Sequence, residues 1–346
     1  MKTIVLAAFR LIPHTFFSHV SFNGDRAGMK SPNVRCPTAM LLFSTLLLFG
    51  LVPHGAKGWS TLGHKTVAVL GFEMLSNNVR SKVTVILGPN DISHASVWPD
   101  LLRDPPANDT EMHDFIAAHR SHTDWHFINL PLNANVYEPA GPFARTNDIV
   151  QMINRCIDVL EEKSTMMSKR HALRWLVHLV GDLHQPLHVG CGYYRFNGNN
   201  EAILIKSPAE AIGHQHDRGG NRLHYSKSGK LHSFWDDALV DRIDSSPNEA
   251  NLLPILRAKV KPGSFRTTGP IRSWSAKWAV DSVNEARGAY SGLQFGEADL
   301  QQDGDLDSIV ILRPKNYAEK QETRAARQLA KGAFHLAELL NNIQWP

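Results

Sequence analysis

The chain has 346 residues with 37 Lys or Arg and 33 Asp or Glu, a formal charge of +4. Its 42% hydrophobic and 20% charged content excludes a disordered chain and allows one large domain or two ordinary ones. Residues 1–58 hold six of the bases and one acid, Asp25, so the chain from Trp59 carries 31 bases and 32 acids, which excludes a generally basic, nucleic-acid-coating surface.

Leu41 to Val52 reads LLFSTLLLFGLV. That apolar run is too short to span a bilayer comfortably but suits the h-region of a signal peptide. Lys30 and Arg35 precede it and Ala56-Lys57-Gly58 follows. The pattern predicts a presequence over residues 1–58, cleaved after Gly58, with Met29 and Met40 as candidate starts; an uncleaved anchor is the alternative. No later run is long enough to cross a membrane. The expectation is therefore a chain sent to the extracellular space or an endomembrane lumen, with no stable membrane insertion after processing. Cys36 lies in the presequence, which leaves Cys156 and Cys191, enough for one disulfide but not a framework. Asn108-Asp109-Thr110 is a glycosylation sequon in a Pro- and Asp-rich stretch.

From Trp59 to about Asn342 helical periodicity dominates, and the expected fold class is mainly α, a single helical domain over residues 59–346. Val150, Ile153, Ile157 and Leu160 step by three and four, with Thr146 or Asn147 as the cap. Leu173, Leu176, Val177 and Val180 repeat the stripe, as do Ala326, Leu329, Ala333, Leu336 and Leu340. Strand-like alternation is scarce, with Ala202 to Ile205 the best case. Cys191 to Gly220 is polar and Gly/Asn-rich, and reads as a surface loop or hairpin. Pro262 to Pro270 reads as a second loop.

Fifteen of the 18 histidines follow Trp59. In HLVGDLHQPLH, His178 and Asp182 stand at i and i+4, on one helical face, and an imidazole nitrogen with a carboxylate oxygen is a donor pair suited to zinc. Pro186 ends the helix, and His188 follows from a different face. One such pair alone is more economically a packed histidine beside a capping aspartate. A second pair at the same spacing, His232 and Asp236 in HSFWD, weakens that reading. His64, Asp100 and His126 complete a set of eight side-chain donors, enough for more than one ion.

The ordered motifs WSTLGH, ASVWPDLLR, WHFIN, HLVGDLHQPLH, DRGGN and HSFWD resemble the S1/P1 nuclease family. The resemblance implies a helical domain of the zinc phospholipase C / P1 nuclease type holding three Zn2+. It places one ion on Asp100, His126, His178 and Asp182, and a second on the amino group and carbonyl of Trp59, His64 and the shared Asp182. A third falls to His188, His232 and Asp236. Arg103 matches a transition-state arginine, and Asp100 an orienter of the attacking water. Phe127 matches a base-stacking aromatic, Asn129 a base-contacting position, and Gly220 and Asn221 a backbone segment near the nucleotide. The implied activity is endonucleolytic hydrolysis of single-stranded DNA and RNA to 5′-phosphate products, with removal of 3′-phosphate from nucleotides, by a secreted glycoprotein monomer.

Val189 to Arg218 is longer than the family's usual link, and its His214 and His216 are assigned no ligand role. Two rival readings are a zinc-dependent phospholipase C and a non-catalytic zinc-binding helical protein. His64 lies only five residues after Trp59, and the last donor is Asp236 rather than glutamate; both weigh against the first rival. Asp100 and Arg103 weigh against the second.

Overall fold

The computed structural model describes residues 59–88, 92–260, 263 and 265–346. The presequence, its 41–52 run, the cleavage after Gly58 and Cys36 lie outside the described residues, as does part of the 262–270 loop.

Helices make up most of the fold, as the stripes predict. The first are α1 (Thr61–Glu73), α2 (Asn77–Leu87), two single turns α3 (Ile92–Ala95) and α4 (Trp98–Leu101), and α5 (Thr110–Ala118). Then come α6 (Ile149–Leu160), α7 (Lys169–Leu183) and the short α8 (Pro208–Ala211). A run of α9 (Leu231–Ser233), a π-helical turn (Phe234–Ala238) and α10 (Leu239–Arg242) follows, then α11 (Glu249–Lys259), α12 (Trp274–Tyr290) and α13 (Tyr317–Asn342). Among the described residues no helix is long and apolar enough to cross a membrane.

α7 is the axis of the fold. Ser168 caps it by accepting from the His171 amide, and it runs to Leu183 because Pro186 cannot continue it. Every residue from Ala172 to Leu183 is buried, and α1, α2, α6, α12 and α13 pack around it. Each buried Leu, Val or Trp here is worth about 1.5–3 kcal/mol of transfer free energy. A helix buried on all sides would ordinarily be apolar all round. Placing His178 and Asp182 within it is costly unless something compensates their polarity.

The cap of α6 is Asp148, which accepts from the Val150 and Gln151 amides, rather than Thr146 or Asn147. A carboxylate reaches two amides at once, and Tyr137 and the Arg145 amide also donate to it. The sequon residue Asn108 is exposed, just before α5.

Strands are more numerous than the sequence suggests. A hairpin of β7 (Gln294–Leu300) and β8 (Leu306–Leu312) buries Ala298, Leu306, Ile309 and Ile311. β1 (Leu130–Pro131) pairs with β2 (Gly190–Cys191) in parallel, and β6 (Leu223–His224) pairs with β8 in parallel. The segment expected to be a loop or hairpin instead forms a three-stranded sheet of β4 (Ala202–Leu204), β3 (Tyr193–Phe196) and β5 (Gln215–His216), in that order. Cys156 and Cys191 are both free and fully buried in separate apolar clusters, so the possible disulfide is not formed.

Candidate metal centre

His64 enters from the first turn of α1, which Ser60 caps. It reaches α7 where Gly181 lies; a Cβ there would stand 2.8 Å from the imidazole Nδ1, so glycine is what lets the ring approach. His178 and Asp182 come from α7, Asp100 and Arg103 from α4 and its end, and His126 from a 3-10 turn, His122–His126. His188 follows α7 on a 3-10 turn, Pro186–His188.

These side chains converge on the Asp182 carboxylate. Its Oδ2 lies 3.0 Å from His126 Nδ1 and 3.0 Å from His178 Nε2, and its Oδ1 3.2 Å from His64 Nε2 and 3.7 Å from His188 Nδ1. Asp100 Oδ1 stands 3.9 Å from both the His126 and His178 nitrogens, and Arg103 Nε lies 3.6 Å from Asp100. Among the described residues three groups have donor atoms within 4.8 Å of one another: His64, His178 and Asp182; Asp100, His126 and His178; and His188, His232 and Asp236.

The third group is built differently from a regular helix. His232 lies in α9 and Asp236 in the π-helical turn, with His232 Nε2 3.4 Å from Asp236 Oδ2. The wider turn brings i and i+4 nearly into line, and such turns recur at functional sites. The Asp236 carbonyl accepts from the Ser60 amide at 2.8 Å, which ties this turn to the residue after Trp59. Trp59 itself is fully buried against Gly63.

The outer nitrogens of three imidazoles are held by backbone carbonyls. His178 Nδ1 donates to Ser96, His188 Nδ1 to the His126 carbonyl and His232 Nδ1 to Gly219. In the neutral rings each Nε2 is then a lone pair, as ligating histidines require. His64 Nε2, His188 Nε2, His232 Nε2, Asp100 Oδ1 and Asp182 Oδ1 are buried without a hydrogen-bond partner. Unpaired buried acceptors facing one another are costly, and a bound cation removes that cost. The donor chemistry, imidazole nitrogen with carboxylate oxygen, fits zinc.

The groups are shifted in both directions: burial works to lower His178, but Asp182 and Asp100 outweigh it and leave that imidazole raised. Burial pushes the His126 imidazole down to about 4, against the opposing pull of its contact with the Asp182 carboxylate. Burial and the neighbouring His188 push His232 down to about 3. Burial acts against the charge of Asp182, but His178 and His188 outweigh it and hold the carboxyl well below its ordinary range. Burial raises Asp236 well above that range, which the Gln185 amide only partly offsets.

Two supports stand inside the motifs HLVGDLHQPLH and DRGGN, though the motifs alone assign them no role. Gln185 is fully buried, donates to Asp236 Oδ1 at 2.6 Å and accepts from the Leu187 amide at 2.6 Å. Its place between Asp182 and His188 was the available clue. Asp217 is also fully buried and accepts from the hydroxyls of Tyr194 and Tyr290, the Cys191 thiol and the Gly220 amide. It fixes the turn whose Gly219 carbonyl holds His232. Gly219 has φ +60, and a Cβ there would sit 1.9 Å from the Leu187 carbonyl oxygen, so only glycine fits.

Arg103, Phe127, Asn129, Asn221, His188 and His232 line one open cleft of about 940 Å³. Gly220 lies beneath its wall, buried, with its carbonyl accepting from the His232 amide. Phe127 and Asn129 also line a smaller adjoining cavity of about 240 Å³. His216, from the long link after His188, borders both cavities.

The family described as S1/P1 Nuclease matches residues 59–344. Nuclease PA3 of Penicillium sp is 26% identical over 308 residues, covering 82% of this chain and 97% of that protein. Nuclease P1 of Penicillium citrinum is 27% identical over 299 residues, covering 82% and 97%. Endonuclease 5 of Arabidopsis thaliana is 24% identical over 339 residues, covering 87% and 95%.

Proposed function

Because the chain belongs to the S1/P1 nuclease family, and is therefore a hydrolase acting on nucleic acid, we propose that it is a secreted three-zinc endonuclease of single-stranded DNA and RNA. In this reading it leaves 5′-phosphate products and also removes 3′-phosphate from nucleotides. The observation that carries the proposal is the convergence of three groups of buried His and Asp donors, several of their atoms without a hydrogen-bond partner, beside an open cleft that His188 and His232 line.

One ion falls to Asp100, His126, His178 and Asp182. A second falls to His64, Asp182 and the amino group and carbonyl of Trp59, which requires cleavage after Gly58. A third falls to His188, His232 and Asp236. Bound zinc supplies a water of lowered pKa and neutralises phosphate charge. The chain's own residues do the rest. Asp100, held 3.6 Å from the cleft-lining Arg103, orients the attacking water. Arg103 offers guanidinium donors to the phosphate oxygens, a geometry suited to a planar fork. Phe127, half-buried at the junction of the two cavities, presents a face on which a base stacks, and Asn129 offers both a donor and an acceptor beside it. Asn221 stands in the same wall.

The test is the protein beginning at Trp59, assayed on single-stranded DNA, RNA and 3′-AMP with metal content measured in parallel. Activity lost on chelation and restored by zinc, with three zincs per chain, is expected. A form starting one residue earlier that keeps three zincs and full activity contradicts the role given to the Trp59 amino group.

A further inference from the structure

The cleft extends well past His188 and His232. Arg145, Arg218, Arg222 and Lys230 line it beyond the metal-facing side chains, against the acids Asp124 and Asp307. The chain from Trp59 carries as many acids as bases to within one residue, so this concentration of cations is local. Arg218 and His216 belong to the long link after His188. Arg222 donates to the His216 carbonyl at 3.1 Å, and Arg145 lies 3.6 Å from Asp124. Arg218 has φ +53, a conformation uncommon for a long side chain, between the buried Asp217 and Gly219. Burial, then Arg222 and Arg218, push the His216 imidazole down to about 4, as expected where several cations crowd together.

The smaller cavity opens beside this track. Phe127, Phe143, Tyr193 and His216 contribute rings to its wall, with Tyr193 and His216 5.2 Å apart. A volume of about 240 Å³ accommodates a single planar base. Cations in a row beside aromatic faces are the combination by which proteins hold single strands without reading their sequence.

We propose that Arg218, at the end of the long link after His188, forms a polynucleotide track with Arg145 and Arg222: the three arginines pair with backbone phosphates flanking the cleaved bond, beside the cavity in which Phe127 stacks a base. This deepens the nuclease reading and rests on it. It makes a single-stranded polymer the preferred substrate over fragments too short to reach the track.

The test compares the protein with an Arg145→Gln/Arg218→Asn variant. Asparagine is chosen at 218 because it tolerates the left-handed backbone region. The kcat/KM values on a single-stranded oligonucleotide and on a dinucleoside monophosphate are measured across a salt series. Each phosphate contact on a single strand contributes about 0.7 to the salt slope. Two lost contacts should flatten the slope by about 1.4 and lower polymer kcat/KM roughly 25-fold at about 0.1 M salt, through KM. The dinucleotide should be cleaved within about twofold of the unmodified rate. Equal losses on both substrates, or an unchanged slope on the polymer, overturn the proposal. Fluorescence anisotropy of a labelled strand in the presence of chelator reads the track without turnover. Salt-sensitive binding that the variant loses, by a protein that cleaves nothing, leaves the track standing and sinks the nuclease reading. Cleavage with unaltered binding in the variant does the reverse.

Discussion

Gly219→Ala isolates the support of the third donor group. The added Cβ would sit 1.9 Å from the Leu187 carbonyl oxygen, and real Cβ contacts essentially never fall under 3.0 Å. The two backbone segments must separate by at least about 1 Å, since neither is a flexible side-chain end. One segment leads into His188, and the other carries the carbonyl that accepts from His232 at 2.6 Å. Alanine at φ +60 adds a backbone penalty of about 1–2 kcal/mol. With the clash, a destabilisation of about 2–4 kcal/mol is expected, and a fall in unfolding temperature of roughly 5–10 °C. Loss of an outer hydrogen bond to a ligating histidine typically costs about 10–100-fold in metal affinity or activity. Metal per chain after dialysis against buffered zinc, with thermal unfolding in parallel, reads both effects. Gly213→Ala is the control, because Gly213 also has positive φ (+79) yet nothing lies within 4 Å of its Cβ position. That variant should lose about 1 kcal/mol and no metal. If Gly219→Ala keeps its full metal content and turnover, the assignment of His188, His232 and Asp236 to one ion is refuted.

Asp182 faces four imidazoles and is shared by two of the proposed ions, so Asp182→Asn should empty both of those ion sites, whereas His188→Ala should empty only one. Metal analysis of the two proteins checks this, and equal losses would contradict the shared role. Burial pushes the His184 imidazole down to about 3, against 6.5 in an unfolded chain. Folding favours its neutral form, so its contribution is complete above pH 6.5 and is lost as pH falls toward 3. Denaturant unfolding of metal-free protein should show on the order of 3 kcal/mol less stability at pH 4 than at pH 6.5, a loss that His184→Gln reduces. A midpoint flat across that range contradicts the buried neutral ring.

Much of the fold was legible because a buried helix writes its period into the chain. The stripes at 150–160, 173–180 and 326–340 became α6, α7 and α13. The same periodicity revealed His178 with Asp182 and placed His232 four before Asp236. The β7–β8 hairpin was not legible, since irregular register between Phe295 and Ala298 and between Asp299 and Leu300 breaks the alternation that marks a strand. The Asp148 cap competed locally with two adjacent residues of similar propensity and won through a tyrosine eleven positions away. Asp217 stood in the DRGGN motif, but its role was hidden for a stronger reason: its partners lie up to 73 residues away, and only the assembled fold brings them together. The long link after His188 likewise acquired meaning only when β5 set His216 beside Phe127.

The two separated thiols have a practical consequence. Cys156 and Cys191 are fully buried, and burial raises both thiols far above the range where a reactive thiolate forms. Between Trp59 and Pro346 the fold therefore carries no covalent cross-link, and reducing agents have no bond there to break. The native chain needs no oxidant to reach its structure, and both sulfurs stay silent toward alkylating reagents until it opens. Thiol labelling of the form starting at Trp59 thus becomes a built-in clock for unfolding, one that metal binding at distant side chains should slow.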